Sequence, residues 1–119
     1  MRDFEKLKIW QRSMKLCTTI YQLTKQFPTE EKFSLISQIK RSSISIPSNI
    51  AEGAARSTTK DFINFLHISM GSLNELYTQI KLAEDLEMVS NSKILEPIIS
   101  EINELKKMLF KFIDTIKKT

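Results

Sequence analysis

Glycine and proline are scarce, two and three in 119 residues, which argues against the turn-rich sheet architectures that consume both. A single cysteine, Cys17, excludes an intrachain disulfide, fits a reducing compartment, and reads most simply as a small apolar core residue. One histidine, His67, with Asn64 three residues before it, cannot supply the paired Glu-x-x-His motifs of a di-iron bundle. One Cys and one His also fall short of the three or four protein ligands of a zinc site, so His67 is expected at the surface or in an interface. No Gly-rich phosphate loop, nucleophile elbow or convincing Ser/His/Asp set is present. The remaining acid–base candidate is the pair Glu52 and Glu75, were they to face each other. The expectation is a protein without catalytic centre, cofactor or metal. No apolar run approaches a membrane span, and Met1 to Lys6 carries charges where a signal peptide needs an apolar stretch, so a soluble cytoplasmic protein is expected.

Leu, Ile, Lys and Glu abound instead, and their periodicity predicts four helices in one domain spanning 1–119. The first, over about 4–26, repeats Leu7, Trp10, Met14, Cys17, Ile20, Tyr21 and Thr24 at three- and four-residue steps and ends at Phe27-Pro28. Thr29 is a candidate N-cap, with Glu30 and Glu31 suited to the helix dipole, for a second helix over about 30–55. Its stripe is Leu35 or Ile36, Ile39, Ser43, Ile46 and Ile50, and Pro47 inside it predicts a kink, or else a division into two shorter helices. Gly53 to Thr58 reads as a boundary, with Thr58 capping a helix over 59–87 that repeats Phe62, Leu66, Ser69, Leu73, Leu76, Ile80 and Ala83. A fourth helix, over about 92–117, repeats Leu95, Ile98, Ile102, Leu105, Leu109, Phe112 and Ile116, and Pro97 falls in its first turns. Long helices joined by short connections predict an all-α, antiparallel up-down-up-down four-helix bundle with a kinked second helix.

The stretch Arg41-Ser42-Ser43-Ile44-Ser45-Ile46-Pro47-Ser48-Asn49-Ile50-Ala51-Glu52-Gly53, with Phe62, Phe65-Leu66 and Gly71-Ser72-Leu73-Asn74-Glu75-Leu76, resembles the bacterial four-helix-bundle family that includes the 23S rRNA intervening-sequence proteins. Trp10, Tyr21 to Thr24 and Phe27-Pro28 extend the resemblance over nearly the whole chain. It implies a homopentamer with no established enzymatic activity, encoded in some bacteria within insertions of ribosomal RNA genes. The family is also similar to the accessory variability protein of diversity-generating retroelements, a basic pentamer that works with a reverse transcriptase and nucleic acid. Membership of this kind transfers fold more securely than role.

Arg41, Ser45, Ser48 or Asn49, Glu52 and Arg56 recur at helical steps apart from the isoleucine stripe, and Ser72, Glu75 and Gln79 do so on the third helix. Ser, Asn and Gly are poor helix-interior residues, Gly71 costing roughly 1 kcal/mol against alanine. Two readings stand: small residues Ser48, Ala51, Gly71 and Ser72 admit a neighbouring helix or subunit while Asn49, Glu52 and Glu75 bond across, or this is a solvated outer face.

The formal charge is only +4, yet up-down-up-down topology would segregate it. One end would gather Arg2, Lys6, Lys8, Arg12, Lys15, Arg56, Lys60, Lys106, Lys107, Lys111, Lys117 and Lys118 against Asp3, Glu5, Glu52, Asp61, Glu104 and Asp114. The other would hold Glu30, Glu31, Glu84, Asp85, Glu87, Glu96 and Glu101 against Lys25, Lys32, Lys81 and Lys93. Lys8, Arg12, Lys15, Arg56, Lys60, Lys106, Lys107, Lys111, Lys117 and Lys118 are therefore candidate RNA or DNA contacts, with Phe110 the one aromatic placed to stack on a base. Lysines in a last helical turn also suit the dipole with no partner at all, which leaves a structural or protein-interaction scaffold as the alternative.

Overall fold

The computed structural model describes residues 2–31 and 34–119, Glu31 by its backbone alone. Four helices carry the chain: α1 (Lys8–Thr24), α2 (Leu35–Ala54), α3 (Thr59–Asp85) and α4 (Glu96–Lys117), and no strand occurs among the described residues. Single 3-10 turns at Phe4–Lys6, Thr29–Glu31 and Ser92–Leu95 precede α1, α2 and α4. Together they form an elongated body of 47 × 24 × 20 Å.

The caps explain most of the boundaries. Thr58 sits in extended backbone, and its hydroxyl accepts the Asp61 N–H at 3.1 Å, as its place before an acidic first turn predicts. At the other end of α3, Glu87 adopts φ 55°, and its N–H and that of Met88 return to the carbonyls of Glu84 and Ala83. That pair of bonds is a Schellman closure, usually completed by glycine. It turns Met88 and Val89 back into the core. Pro97 lies in the first turn of α4, where its missing N–H costs nothing.

Two starts differ from the sequence-based expectation. The first helix does not run from Phe4, because Leu7 is extended (φ −77°, ψ 126°) and separates the N-terminal turn from α1. Phe4 still folds back, its ring edge-on to Trp10 with centroids 5.3 Å apart. The second helix begins at Leu35 rather than Glu30, since Ser34 (φ −122°, ψ −98°) lies outside helical geometry. Thr29 therefore heads a short 3-10 turn instead of capping α2.

The α3 stripe is buried at every expected position, from Phe62 to Ala83. On α1 the core-facing residues are Ile9, Ser13, Leu16, Ile20, Leu23 and Thr24. The predicted stripe through Trp10, Met14, Cys17 and Tyr21 is displaced to the flank facing α2, where Met14 and Tyr21 are exposed. Two apolar stripes run side by side on this helix, and period alone does not choose between them. On α4 the stripe holds through Leu109, after which Ile113 is buried and Phe112 and Ile116 only partly so. A strict alternation of fours and threes drifts around a 3.6-residue helix, and one extra four-residue step corrects it.

Successive helices pair with opposite chain direction. Ser42 meets Gln79 while Ser45 meets Ser72 across α2 and α3, and on α4 Lys106 lies over Tyr77 while Phe112 meets Phe62 of α3. Arg12 meets Glu101, whereas Lys8 shares a groove with Lys111 and Thr115, so α1 and α4 also run antiparallel.

Helix α2 continues through Pro47 rather than dividing into two. Proline has no N–H, so the Ser43 carbonyl four residues earlier loses its helical partner, and Ser43 is fully buried. The Cys17 thiol supplies the missing donor, at 2.9 Å from that carbonyl. Burial raises the thiol's pKa, partly opposed by the Ser43 side-chain hydroxyl beside it.

Candidate functional site

Helices α2 and α3 form the most extensive pair in the molecule, and polar groups mark the seam along its length. Arg41 Nη2 donates to Glu75 Oε2 at 3.0 Å, the Ser42 hydroxyl donates to Gln79 Oε1 at 2.7 Å, and the Ser72 hydroxyl donates to Ser45 Oγ at 2.8 Å. The Ser69 hydroxyl reaches the Ile46 carbonyl at 2.9 Å. Ser42, Ser69 and Ser72 are buried, while Arg41 and Glu75 lie at the rim. A buried hydroxyl is tolerated only with a partner, and each of these has one.

The individual assignments sort differently from the expectation. Glu75 does bond across the seam, but Asn49 donates within its own helix to Ser45, and Glu52 accepts from Arg56 one turn on. Ser48 is exposed and lines a shallow apolar groove with Trp10, Met14, Ile44 and Ala51. A Cβ at Gly71 would meet nothing within 4 Å, so Gly71 does not serve helix approach within this chain. The glycine that does is Gly53, read from the sequence as part of a boundary but lying inside α2. A Cβ there would sit 2.6 Å from Phe65 Cβ and 3.0 Å from Phe62 Cδ1. Glu52 and Glu75 are each held by an arginine, and since Arg41 touches Glu75, about 16 Å of helix rise separates Glu52 from that level. They form no carboxylate pair.

At one end of the bundle the start of α1, the α2–α3 turn and the end of α4 converge. Arg2 ties them together, donating to the Arg56 carbonyl and the Thr59 hydroxyl and lying over the Phe62 ring, which is edge-on to Phe112. Lys6, Arg56 and Lys118 are paired there with Asp3, Glu52 and Asp114. Lys8, Lys60, Lys111 and Lys117 are exposed and have no ion pair among the described residues; Lys107, also unpaired, lies one turn before Lys111.

Three candidate contacts leave this end. Arg12 makes a bidentate bond to Glu101, assigned by sequence to the opposite end, at 3.0 Å from Nε and 2.5 Å from Nη2. Glu101 holds the guanidinium pKa above its ordinary value, against partial desolvation. Lys15 lines a cavity with Pro97, Ile98 and Glu101, near the start of α4. Lys106 lies over the Tyr77 ring at 5.7 Å, about five turns up α3 from Thr59. Helix stagger moves these three cations to mid-bundle or beyond, and the sequence carries no measure of stagger. At the acidic end Lys81 is paired with Glu84, which raises its pKa, and Lys32 lies outside the described residues.

Phe110 is the most exposed large apolar residue among the described residues, at 72%. It shares a cavity with His67, Met70, Ile113, Asp114 and Lys117, so His67 is at the surface as expected. Among the described residues no helix is long and apolar enough to cross a membrane, and no three His, Cys, Asp or Glu side chains gather as a metal site.

The arrangement of helices has a counterpart in a crystal structure, that of a protein of unknown function from the S23 ribosomal protein family of Bacteroides thetaiotaomicron. It is 30% identical to this chain, with a TM-score of 0.81 over 88% of this chain and 97% of that one. No curated protein matches the sequence. The model of the 23S rRNA-intervening sequence protein family matches residues 5–111, which takes in the α2–α3 seam, the Schellman closure and most of α4. With nearly the whole chain matched, the protein belongs to the 23S rRNA-intervening sequence protein family.

Proposed function

We propose that the protein is a non-enzymatic, self-associating bundle whose basic end engages RNA or DNA, alone or together with a nucleic-acid enzyme such as a reverse transcriptase. One observation carries the reading: Lys8, Lys60, Lys111 and Lys117 lie exposed at one end without carboxylate partners among the described residues. Cations already neutralised by a neighbour have little to gain from a phosphate, whereas unpaired ones release counterions from the polymer on contact. In a homopentamer, the assembly implied by family resemblance, each subunit would add its lysines to one surface.

The outward face of α3 supports self-association. Ile68 and Leu82, with Leu86 just after the helix, each about half exposed, recur along the face that bears Gly71. Such a line of aliphatics on the outer side of a bundle helix suits a subunit contact. Gly71, with open space beside it, leaves room for a neighbouring backbone to approach.

The test is light scattering for mass, then titration of labelled RNA and DNA at about 50 and about 200 mM salt. The expected result is an oligomer whose affinity falls at least tenfold over that range and again in a Lys8→Glu/Lys111→Glu/Lys117→Glu variant. An oligomer that ignores both polymers at the lower salt would make the charge a matter of solubility and leave a scaffold as the function.

A further inference from the structure

We infer that Phe110 is a stacking platform for an unpaired base, so that the polymer held at the basic end is a single-stranded nucleic acid. This rests on the nucleic-acid reading above and narrows it. The ring contributes little to the fold: 72% of Phe110 is exposed, while the neighbouring core positions Leu109 and Ile113 are buried. It stands among cations. Lys107 is one turn before it, Lys111 follows it, and Lys117 lines the same cavity, with no ion pair on any of the three among the described residues. The one acid in that cavity, Asp114, is engaged by Lys118 at 3.1 Å.

The cavity beside the ring, about 180 Å³, has Met70 and Ile113 in its lining and the exposed His67 as a second planar group. An aromatic face, a ring with polar edges and flanking lysines are the parts with which proteins hold a strand whose bases are free. In a duplex both faces of every internal base are covered by its neighbours, and a lone ring on a helix surface has nothing to stack against. The lysines would then contact phosphates of any nucleic acid, while Phe110 would distinguish one strand from two.

The experiment measures binding of labelled uridylate and deoxythymidylate oligomers, a duplex of equal length, and inorganic polyphosphate, which has the charge but no bases. Wild type is compared with Phe110→Ala, Phe110→Leu and Phe110→Trp at one salt concentration, with mass and melting temperature recorded for each. Phe110→Ala and Phe110→Leu should each weaken single-strand binding by roughly tenfold, Phe110→Trp should restore it, and duplex and polyphosphate binding should not change. The single-strand salt slope should also be unchanged, because no phosphate contact is removed. Three results overturn the inference: equal single-strand affinity in Phe110→Ala, a parallel loss for polyphosphate, or a change in oligomer mass that accounts for the loss. If wild type binds none of the four probes, the nucleic-acid reading falls with it. If binding persists but is indifferent to Phe110, only the stacking platform falls.

Discussion

Helices α2 and α3 approach through glycine and serine, with hydroxyls bonded across a tight contact, whereas α1 and α4 meet around a bidentate ion pair between side chains that remain partly exposed. The first seam is tight at Gly53 and carries several directional bonds, and the second borders a cavity beside Arg12 and Glu101 and holds a charge pair that water can replace. Steric changes should therefore be felt between α2 and α3, and charge changes should be tolerated between α1 and α4.

The largest expected effect comes from filling the tight seam. Gly53→Val forces a branched carbon against the Phe65 Cβ and should lower the unfolding free energy by about 2–3 kcal/mol in urea titration. The other glycine reverses the sign. Gly71→Ala adds a methyl group in open space at an exposed helix interior and should raise stability by up to about 1 kcal/mol in the same titration. Equal effects at the two glycines would show that the α2–α3 contact is not tight at Gly53.

Removing single bonds should cost less. Ser69→Ala takes away the hydroxyl on the Ile46 carbonyl and should cost about 1 kcal/mol, read from the denaturation midpoint at constant slope. Cys17→Ala leaves the Ser43 carbonyl without its donor, with a similar cost near neutral pH. Its pH dependence adds a second signature. The folded-state thiol has a raised pKa, so its contribution is fully present below the ordinary thiol value and is lost as pH rises through that value towards the folded one. The alkaline decline in stability should accordingly be shallower in Cys17→Ala than in wild type, measured by urea melts from about pH 7 to about pH 10.

The smallest effect is expected at the α1–α4 pair. Arg12→Ala should cost under about 1 kcal/mol, because the side chains of Arg12 and Glu101 remain 39% and 30% exposed. A loss larger than that of Ser69→Ala would show that the ion pair, and not the serine seam, organises the bundle.

Helix α3 was legible in the sequence because one apolar stripe, one cap and no competing period coincide between Thr58 and Ala83. Helix α1 was legible as a helix but not in its rotation, since Ile9, Leu16 and Ile20 run one step away from Trp10, Cys17 and Tyr21, and both sets keep helical spacing. The break at Ser34 left no trace in composition, and Gly53 looked like punctuation because a glycine near a helix end commonly is. The polar stripe was visible as residue types, yet which members cross to α3 depends on azimuth: Ser45 and Arg41 point there, while Asn49 and Glu52 bond along α2. Charge placement depended on stagger, and so Lys8, Lys60, Lys111 and Lys117 fell where the topology put them while Arg12, Lys15 and Lys106 did not.

The thiol on the Ser43 carbonyl also works as a detent for sliding. An apolar stripe repeats every turn, so α1 could shift along α2 by one turn and still bury isoleucines and leucines. Proline opens a single hole in the hydrogen bonding of α2, and only one side chain on α1 is there to fill it. A one-turn shift would strand a buried acceptor and so carries a penalty that greasy contacts alone do not impose. The notch at Pro47 thereby fixes α1 against α2, and Lys8, on the same helix as Cys17, is carried by that register to its place beside Lys111.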